Sequence, residues 1–297
     1  MTSQSDASTR PIAVIGAGTL GRRIALMFAT GGGVVRVCDL DEAQRADAAA
    51  FIAEHLPDVL EQTGNDTAAT VETTGDMAEA VADAWLVVES LPERLEIKIP
   101  AFADLERLAP ADAILASNSS SHPSSRMIEQ VGTPERVLNM HFYMPPVATA
   151  CELMSCGHTD AGVIDRLMTE LPRFGIKPFR VHGESMGFIH NRIWASIKRE
   201  ALMVLDEGVA SPAEIDDIYV SVLGARRGPF RAMDAVGLDV VLDIEENYAA
   251  HRDGIPEGPR TLLRRYIDEG RLGVKSGRGF YDDYETETDS DTEGADA

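Results

Sequence analysis

Short apolar runs alternate with amphipathic segments over the first part of the chain. Runs rich in aliphatic residues predict buried strands at residues 12–16, 34–39, 84–90, 113–117 and 136–142. Helical periodicity lies between them, for example at residues 20–30 and 95–108. Alternation of this kind predicts an α/β fold whose parallel sheet is covered on both faces. Two more apolar runs, at residues 151–154 and 176–181, are candidates to extend the sheet.

The strand pattern stops near residue 183, and helical patterns take over. One long helical segment ends at Gly208, and a second opens with Ser211 as N-cap and Pro212 in the first turn. We therefore predict an α/β domain over residues 1–183 and an all-helical domain over residues 184–284. Residues 285–297 are almost entirely polar and acidic, which predicts a disordered tail.

A glycine-rich segment joins the first predicted strand to the first predicted helix. It reads Gly16-x-Gly18-x-x-Gly21, the spacing that binds the pyrophosphate of a dinucleotide when it lies between a strand and a helix. The first glycine allows a tight turn, the second lets the backbone approach the phosphates, and the third allows close packing. We predict a Rossmann-type domain whose cofactor contacts include Gly16, Gly18, Thr19, Leu20 and Gly21.

Asp39 stands at the end of the second predicted strand. A carboxylate at this place accepts hydrogen bonds from the adenosine ribose and repels a 2′-phosphate. The predicted cofactor is therefore NAD rather than NADP.

The charge composition restricts the partners and the environment. The chain has 49 acidic residues against 27 Lys and Arg, a net charge of −22, and only four of its basic residues are lysines. Acid excess with few lysines is typical of proteins from concentrated salt, where charge repulsion is screened. An ordinary acidic enzyme remains the alternative. No basic surface is available for nucleic acid, so we expect no such partner.

Targeting and metal-binding patterns are not apparent. No apolar run approaches the roughly 20 residues that span a bilayer, and the first residues lack a secretion signal. The three cysteines form neither a disulfide framework nor a zinc pattern. We expect a cytoplasmic protein with no membrane partner and no metal.

The candidate chemistry lies around His141, at the end of the predicted strand 136–142. Histidine is suited to accept a hydroxyl proton near neutral pH. After a Pro-Pro turn the chain returns with Glu152, placed to orient the ring. Ser119–Ser121 follow another strand at the same predicted edge, and Asn191 lies near the start of the helical domain. Taken alone, these residues leave a buried structural histidine and a serine-rich turn as open alternatives.

The ordered set of motifs resembles the L-3-hydroxyacyl-CoA dehydrogenase family. The similar segments, which span residues 12–284, are IGAGTLGRRIA, VVESLPERLEIK, LASNSSS, MHFYMPP with CELM, ESMGFIHNR, RRGPFRAMDAVGLD and GVKSGRGFYDDY. The resemblance implies NAD-dependent oxidation of an (S)-3-hydroxyacyl-CoA to a 3-ketoacyl-CoA, and a homodimer formed through the helical domain. Family positions for catalysis fall on His141, Glu152, Ser120 and Asn191. Family contacts to the cofactor fall on Asp39, Glu93, Lys98 and Lys275, and Lys98 also matches a contact to coenzyme A.

Two departures from the family pattern bear on the substrate. Met144 replaces an asparagine that contacts NAD, and the segment between Asp39 and Glu93 is shorter than in fatty-acyl relatives. That segment lacks the lysine found near coenzyme A, and residues 46–92 contain no Lys or Arg. Oxidation of a free 3-hydroxy acid, as in gulonate- or carnitine-type relatives, is therefore the second hypothesis. The third is a non-catalytic NAD-binding relative, against which the complete His–Glu–Ser–Asn set argues.

Overall fold

The chain divides into two compact units, and the boundary between them in the sequence lies between Ile189 and His190. The structure is a computed structural model that describes residues 10–284. The sequence boundary was placed six residues earlier, at residues 183 and 184. The predicted acidic tail, residues 285–297, lies outside the described residues.

The first unit is built on an eight-stranded sheet in the order β3-β2-β1-β4-β5-β6-β7-β8. All neighbouring strands are parallel except β6 and β7, which pair antiparallel. The strands are β1 (Ile12–Ile15), β2 (Val34–Cys38), β3 (Thr70–Thr74), β4 (Leu86–Glu89), β5 (Ile114–Ser117), β6 (Val137–Phe142), β7 (Ala150–Ser155) and β8 (Lys177–Val181). The predicted α/β fold and the two extending strands are confirmed.

Strand β3 was not predicted, because its sequence TVETT is polar. It lies at one edge of the sheet, and three of its five residues are exposed. An edge strand of this kind lacks the apolar run by which the buried strands are recognised.

Helices cover both faces of the sheet. In β1, Val14 belongs to one apolar core, while Ala13 and Ile15 belong to the core on the opposite face. The strand is buried along its whole length, so it contributes side chains to both cores. The helices of this unit are α1 (Thr19–Ala29), α2 (Glu42–Thr63), α3 (Met77–Val81), α4 (Leu95–Leu108) and α5 (Ala161–Glu170).

The second unit, as far as residue 284, is helical. Its helices are α6 (His190–Asp206), α7 (Pro212–Leu223), α8 (Pro229–Val236), α9 (Leu238–His251) and α10 (Gly258–Asp268). Ser211 caps α7 as predicted, in a reciprocal capping box with Glu214. Leu202, Phe230 and Leu263 belong to the core of this unit. Over residues 10–284, no helix has both the length and the apolar character needed to cross a bilayer.

Candidate active site

The glycine loop connects β1 to α1 at the carboxyl end of the sheet. Gly16 has a φ of +104°, and a Cβ added there would lie 2.5 Å from the carbonyl oxygen of Ser90. A Cβ on Gly21 would lie 1.9 Å from the carbonyl oxygen of Gly16, so the helix packs directly on the loop. Gly18 differs, since an added Cβ would meet nothing within 4 Å. The space in front of the Gly18 Cα is therefore open, as the close approach of a pyrophosphate to the start of a helix requires.

Asp39 follows β2 directly and is fixed beside this loop. Its Oδ2 accepts a hydrogen bond from the amide of Ala17 at 2.8 Å, and its Oδ1 accepts one from the amide of Asp41 at 3.0 Å. The Arg45 guanidinium donates to the main-chain carbonyl of Asp39 at 2.7 Å. The carboxylate is therefore held at the place where a dinucleotide-binding fold holds the adenosine ribose.

Lys98 is buried between two carboxylates. Its side chain is 1% exposed, and its Nζ lies 2.6 Å from Glu89 Oε1 and 3.3 Å from Glu93 Oε2. Glu89 is itself fully buried, and its other oxygen accepts a hydrogen bond from Ser117 Oγ at 2.6 Å. We predicted that Lys98 contacts the cofactor. In the structure its ammonium instead forms ion pairs with two carboxylates of the protein, Glu89 and Glu93. Glu89 was missed, although an acid that ends the apolar run of β4 was a visible signal.

Glu93 fastens the serine loop that follows β5. Its Oε1 accepts hydrogen bonds from Ser119 Oγ at 2.5 Å and from the Ser121 amide at 2.8 Å. Burial acts to raise the pKa of Glu93, but the Ser119 hydrogen bond and the charge of Lys98 outweigh it and lower the pKa. A carboxyl group whose pKa is lowered on folding stabilises the folded protein at pH values above its unfolded-state pKa. This contribution is lost as the pH falls through its folded-state pKa. Ser120, between these two contacts, is exposed.

Two asparagines join this loop to the strand that carries His141. Asn118 Oδ1 accepts a hydrogen bond from the Phe142 amide at 2.9 Å. Asn139 is fully buried, and its Oδ1 accepts from the Ser124 amide at 2.6 Å. Sequence analysis missed both, because an asparagine in a strand or loop carries no chemical signal without its partners. The structure thus brings Ser120 and His141 to one edge of the sheet, as predicted.

His141 and Glu152 stand directly opposite each other in the antiparallel β6–β7 pair. Opposite residues point to the same face, with Cβ atoms about 4.5–5.5 Å apart. The two side chains are only 4% and 3% exposed. Glu152 Oε2 accepts a hydrogen bond from the Ile189 amide at 2.6 Å, and the His141 ring stacks on Phe188 with centroids 4.7 Å apart. An imidazole and a carboxylate placed in this way are suited to move a proton.

Two predicted residues belong to the second unit and are described within it. Asn191 is the second residue of α6. Lys275 Nζ lies 2.6 and 2.5 Å from the two carboxylate oxygens of Asp239, and this hydrogen-bonded pair lowers the pKa of Asp239.

Two family models match the chain. The NAD-binding domain of 3-hydroxyacyl-CoA dehydrogenase matches residues 11–185, and the C-terminal domain of 3-hydroxyacyl-CoA dehydrogenase matches residues 187–283. The chain belongs to the 3-hydroxyacyl-CoA dehydrogenase family. It is therefore an NAD-dependent oxidoreductase that acts on a CH–OH group, and the predicted family, fold and cofactor are confirmed.

Individual relatives of the family differ in what their names say they act on. A probable 3-hydroxybutyryl-CoA dehydrogenase of Bacillus subtilis is 32% identical over 94% of this chain and 99% of its own length. A 5-formyl-3-hydroxy-2-methylpyridine 4-carboxylate 5-dehydrogenase of Mesorhizobium japonicum is 29% identical over 92% of this chain and 90% of its own length. A 3-hydroxyacyl-CoA dehydrogenase-like protein of Cochliobolus heterostrophus is 45% identical, over 49% of this chain and 31% of its own length.

The structure describes both places at which the sequence departs from the family pattern, the segment after Asp39 and Met144. The segment between β2 and β3 contains one 22-residue helix, α2. Met144, at the position of the family asparagine, is 42% exposed.

Proposed function

We propose that the protein oxidises (S)-3-hydroxyacyl-CoA to 3-ketoacyl-CoA, with His141 as the general base. The observation that carries this proposal is the register of β6 and β7, which sets His141 opposite Glu152 in a buried position beside the serine loop. A neutral imidazole paired with a carboxylate is the arrangement that a base for a hydroxyl proton requires.

In the proposed mechanism each residue has one task. His141 takes the proton from the substrate hydroxyl, and Glu152 orients the ring and stabilises the imidazolium that forms. Ser120 and Asn191 hold the reacting oxygen. NAD, when bound, accepts the hydride that leaves C3. Its pyrophosphate would lie against Gly18, Thr19 and Leu20, and its ribose against Asp39, with Glu93 and Lys275 as further contacts. Lys98 would act on the cofactor through Glu93.

Asp39 is expected to make the enzyme select NAD over NADP. The carboxylate is fixed by two main-chain amides, so a 2′-phosphate brought to it would meet a held negative charge. Asp39→Ala should narrow the ratio of kcat/KM for NAD to that for NADP, by removing both a contact and a repulsion. Asp41→Ala, which changes the neighbouring N-cap of α2, is the matched control and should leave the ratio unchanged. A wild-type preference for NADP would contradict the assignment.

Recognition of the coenzyme A adenine end is expected to be weak. The phosphates of coenzyme A need basic partners, and residues 46–92 contain none. Lys98 is buried against Glu89 and Glu93, so its ammonium is not presented to a phosphate. Binding should come mainly from the acyl and pantetheine portions of the substrate.

A substrate panel tests this expectation and the proposed function together. We expect kcat/KM with NADH to be similar for acetoacetyl-CoA and acetoacetyl-pantetheine. A large loss on truncation would reveal a phosphate site elsewhere. Gulonate, carnitine and other free 3-hydroxy acids form the second arm of the panel. Turnover of these acids alone would replace the proposal with the second hypothesis, which the lack of Lys and Arg over residues 46–92 favours.

Stability and activity are expected to rise as KCl increases from dilute buffer toward about 1 M, where charges are screened over about 3 Å. The reason is the net charge of −22, which makes carboxylate repulsion large in dilute buffer. The measurement is the melting temperature and kcat across the salt series, with sucrose at matched osmolality as the control. Highest stability in dilute buffer would refute this halophilic character.

We also propose a cytoplasmic homodimer. All three cysteines are free and buried, which fits a reducing compartment.

Helix α7 presents Ile218, Val222 and Leu223, each more than 60% exposed, and these side chains supply an apolar surface for a second copy. Sedimentation of the purified protein as a monomer at micromolar concentration would contradict the dimer.

A further inference from the structure

Tyr143 touches both members of the proposed catalytic pair. Its hydroxyl donates a hydrogen bond to Glu152 Oε1, and its ring meets the His141 ring edge-on with centroids 4.7 Å apart. Tyr143 stands two residues after His141, directly after Phe142, the last residue of β6. The tyrosine is half-buried, whereas His141 and Glu152 are almost fully buried.

The two oxygens of Glu152 are held from different parts of the fold. Oε1 receives the Tyr143 hydroxyl from the end of β6, and Oε2 receives the Ile189 amide at 2.6 Å from the segment before α6. The His141 ring is enclosed by the face of Phe188 and the edge of Tyr143. Glu152 is buried, and at a buried position hydrogen bonds to a charged group are stronger than in water.

We propose that Tyr143 is a positioning residue that fixes Glu152 and weakens its pull on the His141 proton. The inference rests on the proposed function. A hydroxyl that donates to a carboxylate stabilises its negative charge and places a positive dipole end beside it. Glu152 then stabilises the imidazolium less than an otherwise identical carboxylate would. His141 consequently remains a neutral base at a lower pH than it would with Glu152 alone.

The neighbours of Glu152 within the sheet include Cys151 and Phe179. Cys151 precedes Glu152 on β7, and burial, with the charge of Glu152, raises the pKa of its thiol well above its ordinary value. The neighbour of Glu152 on β8 is Phe179, which carries no charge.

The kinetic test is the pH profile of kcat for oxidation in wild type and Tyr143→Phe. Because oxidation needs neutral His141, kcat rises with pH through the titration of the imidazole. We call this rise of kcat with pH the limb of the profile. Removing the hydroxyl should move the limb by about half a pH unit to one pH unit toward higher pH. The high-pH plateau and the KM for NAD should stay nearly unchanged. A purely structural role would lower the plateau and leave the limb in place. Tyr266→Phe, in the core of the second unit, is the matched control for loss of a tyrosine hydroxyl.

A double-variant comparison tests whether Tyr143 acts through Glu152. Adding Tyr143→Phe to Glu152→Gln should move the limb no further than Glu152→Gln alone, because the charge on which the hydroxyl acts is then absent. The same shift in both backgrounds would show that Tyr143 acts on His141 directly and would overturn the proposal.

An NMR titration of the histidine rings keeps the test independent of turnover. The His141 signal is assigned by its loss in His141→Ala, and its midpoint should rise in Tyr143→Phe and fall in Glu152→Gln. An unchanged midpoint in a folded, NAD-binding Tyr143→Phe protein would overturn the inference. Failure of the wild type to oxidise any 3-hydroxyacyl-CoA would instead refute the proposed function, while the NMR comparison would still decide the role of Tyr143.

Discussion

His141→Ala is expected to lower kcat by roughly 10²- to 10⁴-fold, the usual contribution of a general base, with little change in the Kd for NAD. The imidazole lies on β6 opposite Glu152, whereas the glycine loop and Asp39 follow β1 and β2. Removal of the ring therefore leaves the proposed cofactor contacts intact. The measurement is kcat at saturating substrate together with a fluorescence titration of NADH.

The controls for this prediction separate chemistry from folding. His251→Ala changes an exposed histidine whose Nδ1 lies 2.8 Å from the Asn247 carbonyl oxygen, at the end of α9, and it should keep wild-type turnover. Glu152→Gln should also reduce kcat, because it removes the charge that steadies the imidazolium while leaving a group of the same size. Wild-type turnover in His141→Ala would show that His141 is a satisfied core histidine.

Lys98→Met is expected to lower the free energy of unfolding by about 3–5 kcal/mol, the usual cost of removing one partner of a buried ion pair. The substitution leaves Glu89 buried without its cation, and it also removes the contact that lies 3.3 Å from Glu93. Because Glu93 fastens the serine loop through Ser119 and Ser121, kcat should fall as well. Urea unfolding followed by tryptophan fluorescence gives the stability change.

Matched variants show whether burial is the cause. Lys275→Met removes the same side chain from a pair that is 46% and 43% exposed, and it should cost less than about 1 kcal/mol. Combining Lys98→Met with Glu89→Gln should recover part of the lost stability, because no buried anion is then left alone. Equal losses for Lys98→Met and Lys275→Met would refute the buried-pair interpretation.

The buried strands and the glycine loop were predictable because their physical constraints are local. A strand covered on both faces is apolar along its length, as β1, β4 and β5 are, and this pattern is visible in the letters alone. The turn places Gly16 at a φ of +104° against a neighbouring carbonyl, which leaves no room for a side chain at this position. The position therefore requires glycine, and the requirement is visible in the sequence. The polar edge strand β3 obeys no such constraint and was missed.

The candidate site was predicted as a set of residues, but not as an arrangement. That Glu152 returns toward His141 followed from the short Pro-Pro connection, because a parallel crossover needs about a dozen residues or more. Their direct opposition in the ladder depends on the register of β6 and β7, which the whole sheet fixes. The contact of Tyr143 with Glu152 depends on the same register.

The burial of Lys98 could not be predicted from the sequence. The sequence pattern places this lysine on an amphipathic helix after β4, where a lysine is ordinarily solvent-exposed. In the folded chain its ammonium is buried, at 2.6 Å from Glu89 at the end of β4. Local patterns record what each segment needs by itself, such as an apolar face or a glycine turn. Which charge neutralises which is decided by residues brought together from separate segments, and that information exists only in the folded chain.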